Sequence, residues 1–492
     1  MLRKIRITAA VLCLAGITLL FTDLSGTAAP WLGWLAKIQF LPALLALNVG
    51  VLAALVAVTL LFGRVYCSVI CPLGVMQDCF AWFGKRSRKN RYSHSPAISW
   101  LRYLFLGVTV AAVIAGTGTI VALLAPYSAY GRIANSFLQP LWIYINNLLA
   151  QLAEKHDSYA FATAAFHPQS AFVIAVAAVT LVTLAILAWR NGRTYCNTVC
   201  PVGTVLGFLS RFSLLKPVID TSKCNGCGLC SRNCKSACID SRGHAIDYSR
   251  CVSCMDCIDK CRREAITYSV APRRKSAAPG KDTDSGRRSF ISITAATAAA
   301  AALKAQEKTV DGGLAAIEQK KIPARKTKIV PPGAVSLSHL ARHCTACQLC
   351  VSACPNGVLR PSTDLERLLQ PEASYENGYC RPECNRCSQV CPAGAIKPID
   401  VAEKSSIQIG HAVWIKENCV VLTDGVSCGN CATHCPAGAI QMIPSRPGDP
   451  DSPKIPAVSE EACIGCGACE NLCPARPFSA IYVEGHKAHR TI

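Results

Sequence analysis

The chain has 492 residues, 31 of them cysteine, and its 51 Lys and Arg against 30 Asp and Glu give a formal net charge of +21. Hydrophobic residues make up 51% of the chain and charged residues only 16%, below the ~25% usual in soluble proteins. This composition excludes a disordered protein and an ordinary soluble enzyme, and the chain is too long for a small disulfide-stapled secreted domain. At about 100–200 residues per domain, more than one domain is expected.

Four long apolar runs without a formal charge precede residue 216. They are residues 7–22, 41–62, 103–125 and 171–189. Because a bilayer core of ~30 Å needs about 20 apolar residues, residues 1–216 are predicted to be a membrane α-helical bundle of about four spans. The first run follows basic residues, yet no small-residue cleavage site comes after it, so we expect a retained helix and not a signal peptide.

Basic residues cluster at one set of run ends. They are Arg3, Lys4, Arg6, Lys85, Arg86, Arg88, Lys89, Arg91, Arg190, Arg193, Arg211 and Lys216. The other ends offer only Lys37, Arg132 and Lys155. The positive-inside rule therefore predicts a multi-pass membrane protein, expected in the bacterial inner membrane, whose N-terminus, 63–102 loop and segment after Trp189, with the first ferredoxin domain, are cytoplasmic. No basic stripe with interleaved aromatic residues points to a nucleic-acid partner.

The predicted membrane domain contains an internal repeat. Residues 63–74 (GRVYCSVICPLG) recur as residues 192–203 (GRTYCNTVCPVG), each directly after an apolar run. The repeat carries two C-x-x-x-C-P motifs, with Cys67 and Cys71 in one and Cys196 and Cys200 in the other. Three interpretations stay open at this point: structural cysteines, redox-active thiols, or one joint metal or cluster site built from four thiolates.

A two-cluster ferredoxin pattern occupies residues 217–270. Its cysteines are Cys224, Cys227, Cys230, Cys234, Cys251, Cys254, Cys257 and Cys261. In this bacterial spacing the fourth cysteine of each group binds the other [4Fe–4S] cluster, so Cys261 joins the first group and Cys234 the second. The extra Cys238 could replace Cys234. An α+β ferredoxin-like fold is expected, with a strand at 245–248 pairing with one at 265–270.

A linker rich in Ala, Lys, Pro and Gly is predicted for residues 271–338. Residues 285–291 (SGRRSFI) within it resemble a twin-arginine export signal and precede the mildly apolar stretch 292–303. Because such signals export folded cargo with cofactors in place, we expect the segment to carry the following domain to the periplasm.

Four further cysteine groups fill residues 339–492, and each ends in Cys-Pro. The groups are Cys344, Cys347, Cys350, Cys354; Cys380, Cys384, Cys387, Cys391; Cys419, Cys428, Cys431, Cys435; and Cys463, Cys466, Cys469, Cys473. The second and third groups have widened first spacings but still supply four thiolates each. They predict a second, four-cluster ferredoxin-like module and about six [4Fe–4S] clusters in the whole chain.

With these motifs, residues 1–270 resemble NapH-type membrane polyferredoxins, and residues 285–492 resemble NapG-type four-cluster subunits of the 4Fe-4S quinol dehydrogenase family. The resemblance implies an electron-transfer subunit that takes electrons from membrane quinol and passes them to a periplasmic cytochrome c or nitrate-type reductase in anaerobic respiration. It further implies that cysteine group one pairs with group four and group two with group three, although sequential pairing stays open.

A rival interpretation follows from NosR-like and oxidase-assembly polyferredoxins, which share this membrane core and would serve maturation or regulation of a metalloenzyme. No catalytic residue is predicted in either case. Quinol oxidation needs a proton acceptor, and five residues on the outer side were considered: Asp23, Glu154, His156, Asp157 and His167. We expect all five to be solvated loop residues, and residues 135–152 to form an amphipathic helix over a quinone pocket.

Overall fold

A computed structural model describes residues 1–86, 92–158, 161–270 and 320–492. Three parts are distinguished below: the helical domain (residues 1–214), the N-terminal ferredoxin module (residues 215–270) and the C-terminal ferredoxin module (residues 320–492). The twin-arginine-like segment 285–291 and the basic residues Arg88, Lys89 and Arg91 lie outside the described residues.

Short and long α-helices alternate through the described part of the helical domain. They are α1 (Leu2–Thr22), α2 (Ala28–Lys37), α3 (Phe40–Leu45), α4 (Val49–Phe62), α5 (Val65–Val69), α6 (Pro72–Arg86), α7 (Ser99–Ala115), α8 (Gly118–Leu124), α9 (Pro126–Ile133), α10 (Gln139–Glu154), α11 (Ala171–Asn191), α12 (Thr194–Thr198) and α13 (Pro201–Leu209). A π-helical turn, Ala134–Leu138, joins α9 to α10.

Two helices among the described residues, α1 and α11, are long and apolar enough to cross a membrane, with 21 residues each. The helices α4 and α7 are apolar but have only 14 and 17 residues. The run 41–62 breaks where the Asn48 side chain caps α4 by accepting a hydrogen bond from the Val51 N–H at 3.2 Å. The run 103–125 breaks at Gly116, whose φ of 71° ends α7. Two of the four apolar runs therefore form single helices long enough to cross a membrane, and the other two are interrupted, so the bundle of four spans stays a prediction.

The N-terminal ferredoxin module packs against one end of the helical domain. It touches the first turn of α1, the last residue of α4, the first turn of α7 and the residue two positions after α11. The hydrogen bonds run from Arg3 to Asp256, Ser253 to Phe62, Arg102 to Ser249 and Arg193 to Lys235.

The C-terminal ferredoxin module packs against the opposite ends of the same four helices. The contacts join Arg386 to Ser25, Gly394 to Ala46, Arg342 to Gly116 and Gly357 to His167. The helices α1 and α7 therefore run in one direction and α4 and α11 in the other, with one ferredoxin module at each end.

The repeat segments fold back into the helical domain. α6 lies along α11, and a Cβ at Gly84 would collide with the Trp189 carbonyl group. α13 lies against α4 and α7. Leu73 and Val202, which directly follow the two Cys-Pro pairs, are both buried. Both C-x-x-x-C-P motifs therefore lie inside the helical domain.

The N-terminal ferredoxin module is closed by its terminal strands. β1 (Leu215–Ile219) pairs antiparallel with β4 (Ile266–Val270), and β2 (Ile239–Asp240) pairs with β3 (Ala245–Ile246). The predicted pairing of 245–248 with 265–270 is wrong, because the strand at 245 finds its partner across the adjacent turn. The helices α14 (Leu229–Asn233) and α15 (Asp256–Lys260) follow the two cysteine loops.

The C-terminal ferredoxin module begins at residue 320, not at 339. Ile329 and Val330 are buried in its core, so residues 320–338 belong to the module and not to a linker. Its helices are α16 (Leu337–His343), α17 (Leu349–Ser352), α18 (Arg386–Val390), α19 (Val401–Ser406), α20 (Val420–Thr423), α21 (Asn430–Thr433) and α22 (Ala468–Leu472). Its antiparallel strand pairs are β5 (Leu359–Pro361) with β6 (Pro371–Ala373), β7 (Ile407–Trp414) with β10 (Ile481–Thr491), and β8 (Ile440–Pro444) with β9 (Lys454–Val458).

A single carboxylate joins the helical domain to the N-terminal ferredoxin module. Asp78 of α6 pairs with Arg6 of α1 at 2.9 Å, with Arg193 at 2.7 Å and with Lys235 of the module at 2.8 Å. Arg193 is fully buried, and Asp78 is 13% exposed. Four parts of the chain therefore meet at one buried ionic cluster.

We expect Asp78→Asn to destabilise the folded chain, because it leaves three cations without their shared carboxylate and breaking a buried ion pair costs about 3–5 kcal/mol. Thermal unfolding in detergent should show a clearly lower midpoint. The matched control is Asp157→Asn, at an exposed loop position. Equal midpoints for the two variants would contradict this role.

Candidate iron–sulfur sites

The N-terminal ferredoxin module gathers one cysteine set around an enclosed pocket. Cys251, Cys254 and Cys257 line it together with Cys234, as the ferredoxin spacing predicts. Cys238 lines the same pocket, with its Sγ 3.5 Å from that of Cys234.

The other set in this module surrounds the loop before α14. The loop turns at Gly228, whose φ of 71° lets the chain bend into α14 directly after Cys227. Cys230 lies within electrostatic range of Cys224 and Cys227. Cys261 packs into the same small core as Cys230, and its Sγ accepts a hydrogen bond from the Ala265 N–H at 3.3 Å. The arrangement fits the predicted set of four thiolates.

The C-terminal ferredoxin module forms four cysteine sets, each with three cysteines of one group and the fourth cysteine of a neighbouring group. The sets are Cys344, Cys347, Cys350 with Cys391; Cys380, Cys384, Cys387 with Cys354; Cys419, Cys428, Cys431 with Cys473; and Cys463, Cys466, Cys469 with Cys435. Group one therefore pairs with group two and group three with group four. The pairing of one with four and two with three, which the family resemblance implied, is wrong.

The two halves of the C-terminal ferredoxin module meet between groups two and four. The Cys380 N–H donates to the Cys466 carbonyl oxygen at 2.9 Å, and buried Tyr375 lies within electrostatic range of both thiols. The four sets are therefore in the spatial order one, two, four, three, each named for its leading group.

The four cysteines of the C-x-x-x-C-P repeats also lie together. Cys200 is within electrostatic range of Cys67, Cys71 and Cys196, and the four are only 3–4% exposed. We call this group the four-cysteine centre. Sequence reasoning left its role open because the repeat alone does not show that the two motifs meet.

A cavity of about 590 Å³ lies between the helical domain and the C-terminal ferredoxin module. Cys354 lines both this cavity and the pocket enclosed by the group-two set. The polar side chains on its walls include Asn135, Gln139, His167, Gln169 and Ser352. Ser352 is buried, and its hydroxyl has no hydrogen-bond partner among the described residues.

His167 is half-buried in this cavity, where a solvated loop residue was expected. Its ring lies against Gly357, so closely that a Cβ there would collide with it. Burial and the nearby Arg360 charge lower the pKa of His167 below its ordinary value of 6.5. Asp23 also lines the cavity, but its carboxylate is occupied in accepting hydrogen bonds from the Gly26 and Ala28 N–H groups, both at 2.8 Å.

The donor sets fit iron–sulfur clusters, since each consists of cysteine sulfur alone and combines three cysteines of one group with the fourth of its partner group, as in ferredoxins. Among the described residues, no group of three or more His, Cys, Asp or Glu side chains is gathered tightly enough for a single metal ion. When bound, each cluster would supply one-electron transfer. The chain holds the ligands and donates N–H groups to sulfur atoms such as those of Cys261, Cys391 and Cys473.

Cys234 and Cys238 can be told apart by iron content. Cys234 lies within electrostatic range of Cys251, Cys254 and Cys257 and has the ferredoxin spacing, whereas Cys238 interacts most strongly with Cys234 and Cys251. The six ferredoxin sets account for about 24 iron, four per cluster. We expect Cys234→Ser to lower the iron content of anaerobically purified protein by about four per chain and Cys238→Ser to leave it unchanged. The opposite result would make Cys238 the ligand.

Comparisons with known proteins match parts of the chain to iron–sulfur domains. A family model described as a 4Fe-4S binding domain matches residues 44–91 and 171–219, and a 4Fe-4S dicluster domain matches residues 425–476. The putative electron transport protein YccM of Escherichia coli is 24% identical over 47% of this chain and 58% of its own length. No solved structure matches the chain.

Ferredoxin-type proteins of Escherichia coli are also similar to the chain. NapG is 29% identical over 38% of this chain and 81% of its own length, and NapF is 30% identical over 32% and 87%. The chain spans only 30% of one further relative, the uncharacterized protein MJ0749 of Methanocaldococcus jannaschii. On its cysteine sets and this coverage, the chain belongs to the ferredoxin-type [4Fe–4S] proteins and is an iron–sulfur electron-transport protein related to YccM, NapG and NapF.

Proposed function

We propose that this chain is a membrane-bound electron carrier that takes electrons from membrane quinol and delivers them through [4Fe–4S] clusters to a periplasmic acceptor, a cytochrome c or a nitrate-type reductase. The observation that carries the proposal is the cavity beside Cys354. Its volume of about 590 Å³ lies in the range of small-molecule sites, ~300–1,000 Å³.

The cavity combines what a quinol ring requires. Phe161, Phe166 and Ile143 supply apolar walls, and Gln139 and Ser352 supply hydroxyl or amide groups for the ring oxygens. The helix α10 beside it exposes apolar side chains that would face lipid. They are Leu141, Tyr144, Leu148 and Leu152. A quinol could therefore keep its tail among lipids while its ring lies next to a cluster ligand.

His167 supplies the base that sequence reasoning did not find. Because its pKa is lowered, the imidazole is neutral near pH 7 and can accept a proton. Quinol oxidation releases two electrons and two protons. The half-buried His167 ring would take each proton in turn and pass it to water, and the group-two cysteines would hold a cluster that accepts the electrons singly. Burial is the larger cause of this lowered pKa, and the charge of Arg360, which pairs with Glu376 at 2.7 Å, is the smaller one.

We expect His167→Gln to slow quinol-dependent cluster reduction about 10²-fold, the lower end of what a positioned base contributes. The measurement uses anaerobic membranes that carry the chain. Decylubiquinol or menadiol is added as reductant, and the rate of cluster reduction is monitored by absorbance. His156→Gln, at an exposed loop position, is the control. Dithionite should reduce both variants like wild type, which shows that the clusters are intact.

The pH dependence gives a second readout of the same site. A base with a lowered pKa stays active to lower pH, so the wild-type rate should fall only below the ordinary histidine range, and this acid limb should disappear in His167→Gln. Asp23 and Arg360 are the other charged groups that line the cavity. An unchanged rate and profile in the variant would remove His167 from the reaction.

We further propose that the C-terminal ferredoxin module lies in the periplasm and the N-terminal ferredoxin module in the cytoplasm. The contacts of the two modules with opposite ends of α1, α4, α7 and α11 support this arrangement. The basic residues at the ends next to the N-terminal module favour the same orientation.

A reporter active only in the periplasm, fused after Ile492, is expected to be active in cells. Activity should be lost in the double variant Arg287→Lys, Arg288→Lys, because the twin arginine would direct export of the folded module. The matched control is Arg273→Lys, Arg274→Lys. If a reporter that works only in the cytoplasm is active when it is fused after Ile492, the proposed arrangement is refuted.

A further inference from the structure

We infer that Cys67, Cys71, Cys196 and Cys200 together hold one additional [4Fe–4S] cluster, shared between the two halves of the repeat and lying between the two ferredoxin modules. The family match covers each repeat separately. Each C-x-x-x-C-P motif supplies only two thiolates, so neither could complete a cluster by itself, whereas the fold brings the two pairs together.

The arginine of each repeat contacts a cysteine of its own repeat and a cysteine of the other repeat. Arg64 Nη2 lies 3.8 Å from the Sγ of Cys67 in its own repeat and donates to the Cys196 carbonyl oxygen at 3.2 Å. Arg193 Nη1 lies 3.9 Å from the Sγ of Cys196 and donates to the Cys67 carbonyl oxygen at 2.6 Å. The same residue types thus make the same contacts across an approximate twofold axis that passes through the four-cysteine centre.

Glycines make this close approach achievable. A Cβ at Gly74 would collide with the Cys67 carbonyl oxygen, and a Cβ at Gly203 with that of Cys196. The Gly203 N–H donates to the Cys200 Sγ at 3.3 Å, and Gln77 Nε2 donates to the Cys196 Sγ at 3.4 Å. N–H groups that point at cysteine sulfur are what stabilises and tunes a cluster.

The buried positive charge of Arg64 is a second, independent argument for a cluster at this centre. Arg64 is fully buried and forms no ion pair with a carboxylate among the described residues, while Arg193 shares Asp78 with two other cations. A buried guanidinium without a counter-charge is strongly unfavourable. A [4Fe–4S] core with four thiolates carries about −2, which supplies the missing negative charge between the two arginines.

The other two interpretations of these cysteines fit less well. Thiol–disulfide exchange requires access to the reacting sulfur, yet each of the four cysteines is at most 4% exposed. Purely structural cysteines would leave the buried charge of Arg64 uncompensated. A cluster needs no access of a partner to its sulfur atoms, because only electrons enter and leave.

The four-cysteine centre lies between cysteine ligands of the two ferredoxin modules. On one side Arg64 lies within electrostatic range of both Cys196 and Cys251, a ligand in the N-terminal ferredoxin module. On the other side the Tyr195 hydroxyl donates to the Leu124 carbonyl oxygen at 2.9 Å, and Tyr127 lies within electrostatic range of the group-one ligand Cys347. A single hydrophobic core contains Cys67, Cys71, Cys200 and Cys347 and packs against Cys254. The centre therefore bridges the two modules through the helical domain.

The test is iron content together with a count of spin centres, so it is independent of the quinol proposal. Anaerobically purified wild-type chain should hold about 28 iron, seven clusters of four. The double variants Cys67→Ser, Cys71→Ser and Cys196→Ser, Cys200→Ser should each hold about 24 and lose the same single spin centre. The control Cys13→Ser, Cys79→Ser should match wild type.

A wild-type content near 24 iron, or double variants that match wild type, would overturn the inference. If a double variant loses far more than four iron through misfolding, Gln77→Leu provides the decision. It keeps all four thiolates, so the iron content should stay at the wild-type value while one cluster titrates at a more negative potential, since an N–H donor to the Cys196 sulfur is gone. A Gln77→Leu variant with every potential unchanged would also refute the shared cluster.

Discussion

The interior of the helical domain contains more positive charge than its carboxylates can neutralise. Asp78 is shared by Arg6, Arg193 and Lys235, and Arg64 has no carboxylate partner among the described residues. Burying a guanidinium in low-dielectric surroundings is costly unless its charge and its N–H groups are satisfied. Much of the architecture follows from this constraint, because the repeat segments fold inward to bring cysteine sulfur and backbone carbonyl oxygens to the arginines.

The same constraint explains how three parts of different character form one unit. The helical domain is rich in apolar side chains, whereas the two ferredoxin modules are small cores organised around cysteine sets. The N-terminal ferredoxin module attaches where α1 and α7 begin and α4 and α11 end. The C-terminal ferredoxin module attaches at the opposite ends of the same four helices. An arrangement of this kind leaves the sides of the helices apolar and directs every electron-carrying group toward the helix ends or the interior.

The sequence predicts the cluster ligands well because short spacings determine which sulfur atoms a tight loop can direct at one cluster. Features that depend on distant segments were predicted poorly. The pairing of group one with group two depends on how the loops at residues 344–354 and 380–391 pack. Residues 320–338 look like a linker until their partners in the core are known. His167 follows a stretch rich in alanine and phenylalanine that carries no known motif, and its contact with Gly357 shows that the loop packs against the C-terminal ferredoxin module. The breaks at Asn48 and Gly116 were visible as residue types, but a cap within an apolar run is weak evidence without coordinates.

The position of the cavity within the row of cysteine sets has a consequence for the flow of electrons. Cys354 belongs to the group-two set, which has the group-one set on one side and, through Cys380 and Cys466, the group-four set on the other. A donor in the cavity thus enters the row at an interior junction and not at a terminus. A two-electron donor in the cavity would thus have two routes for its electrons. One route runs through the group-four set to the group-three set, and the other runs through the group-one set into the helical domain. The relative reduction potentials of the group-one and group-four centres would then determine how the electrons are divided between the routes.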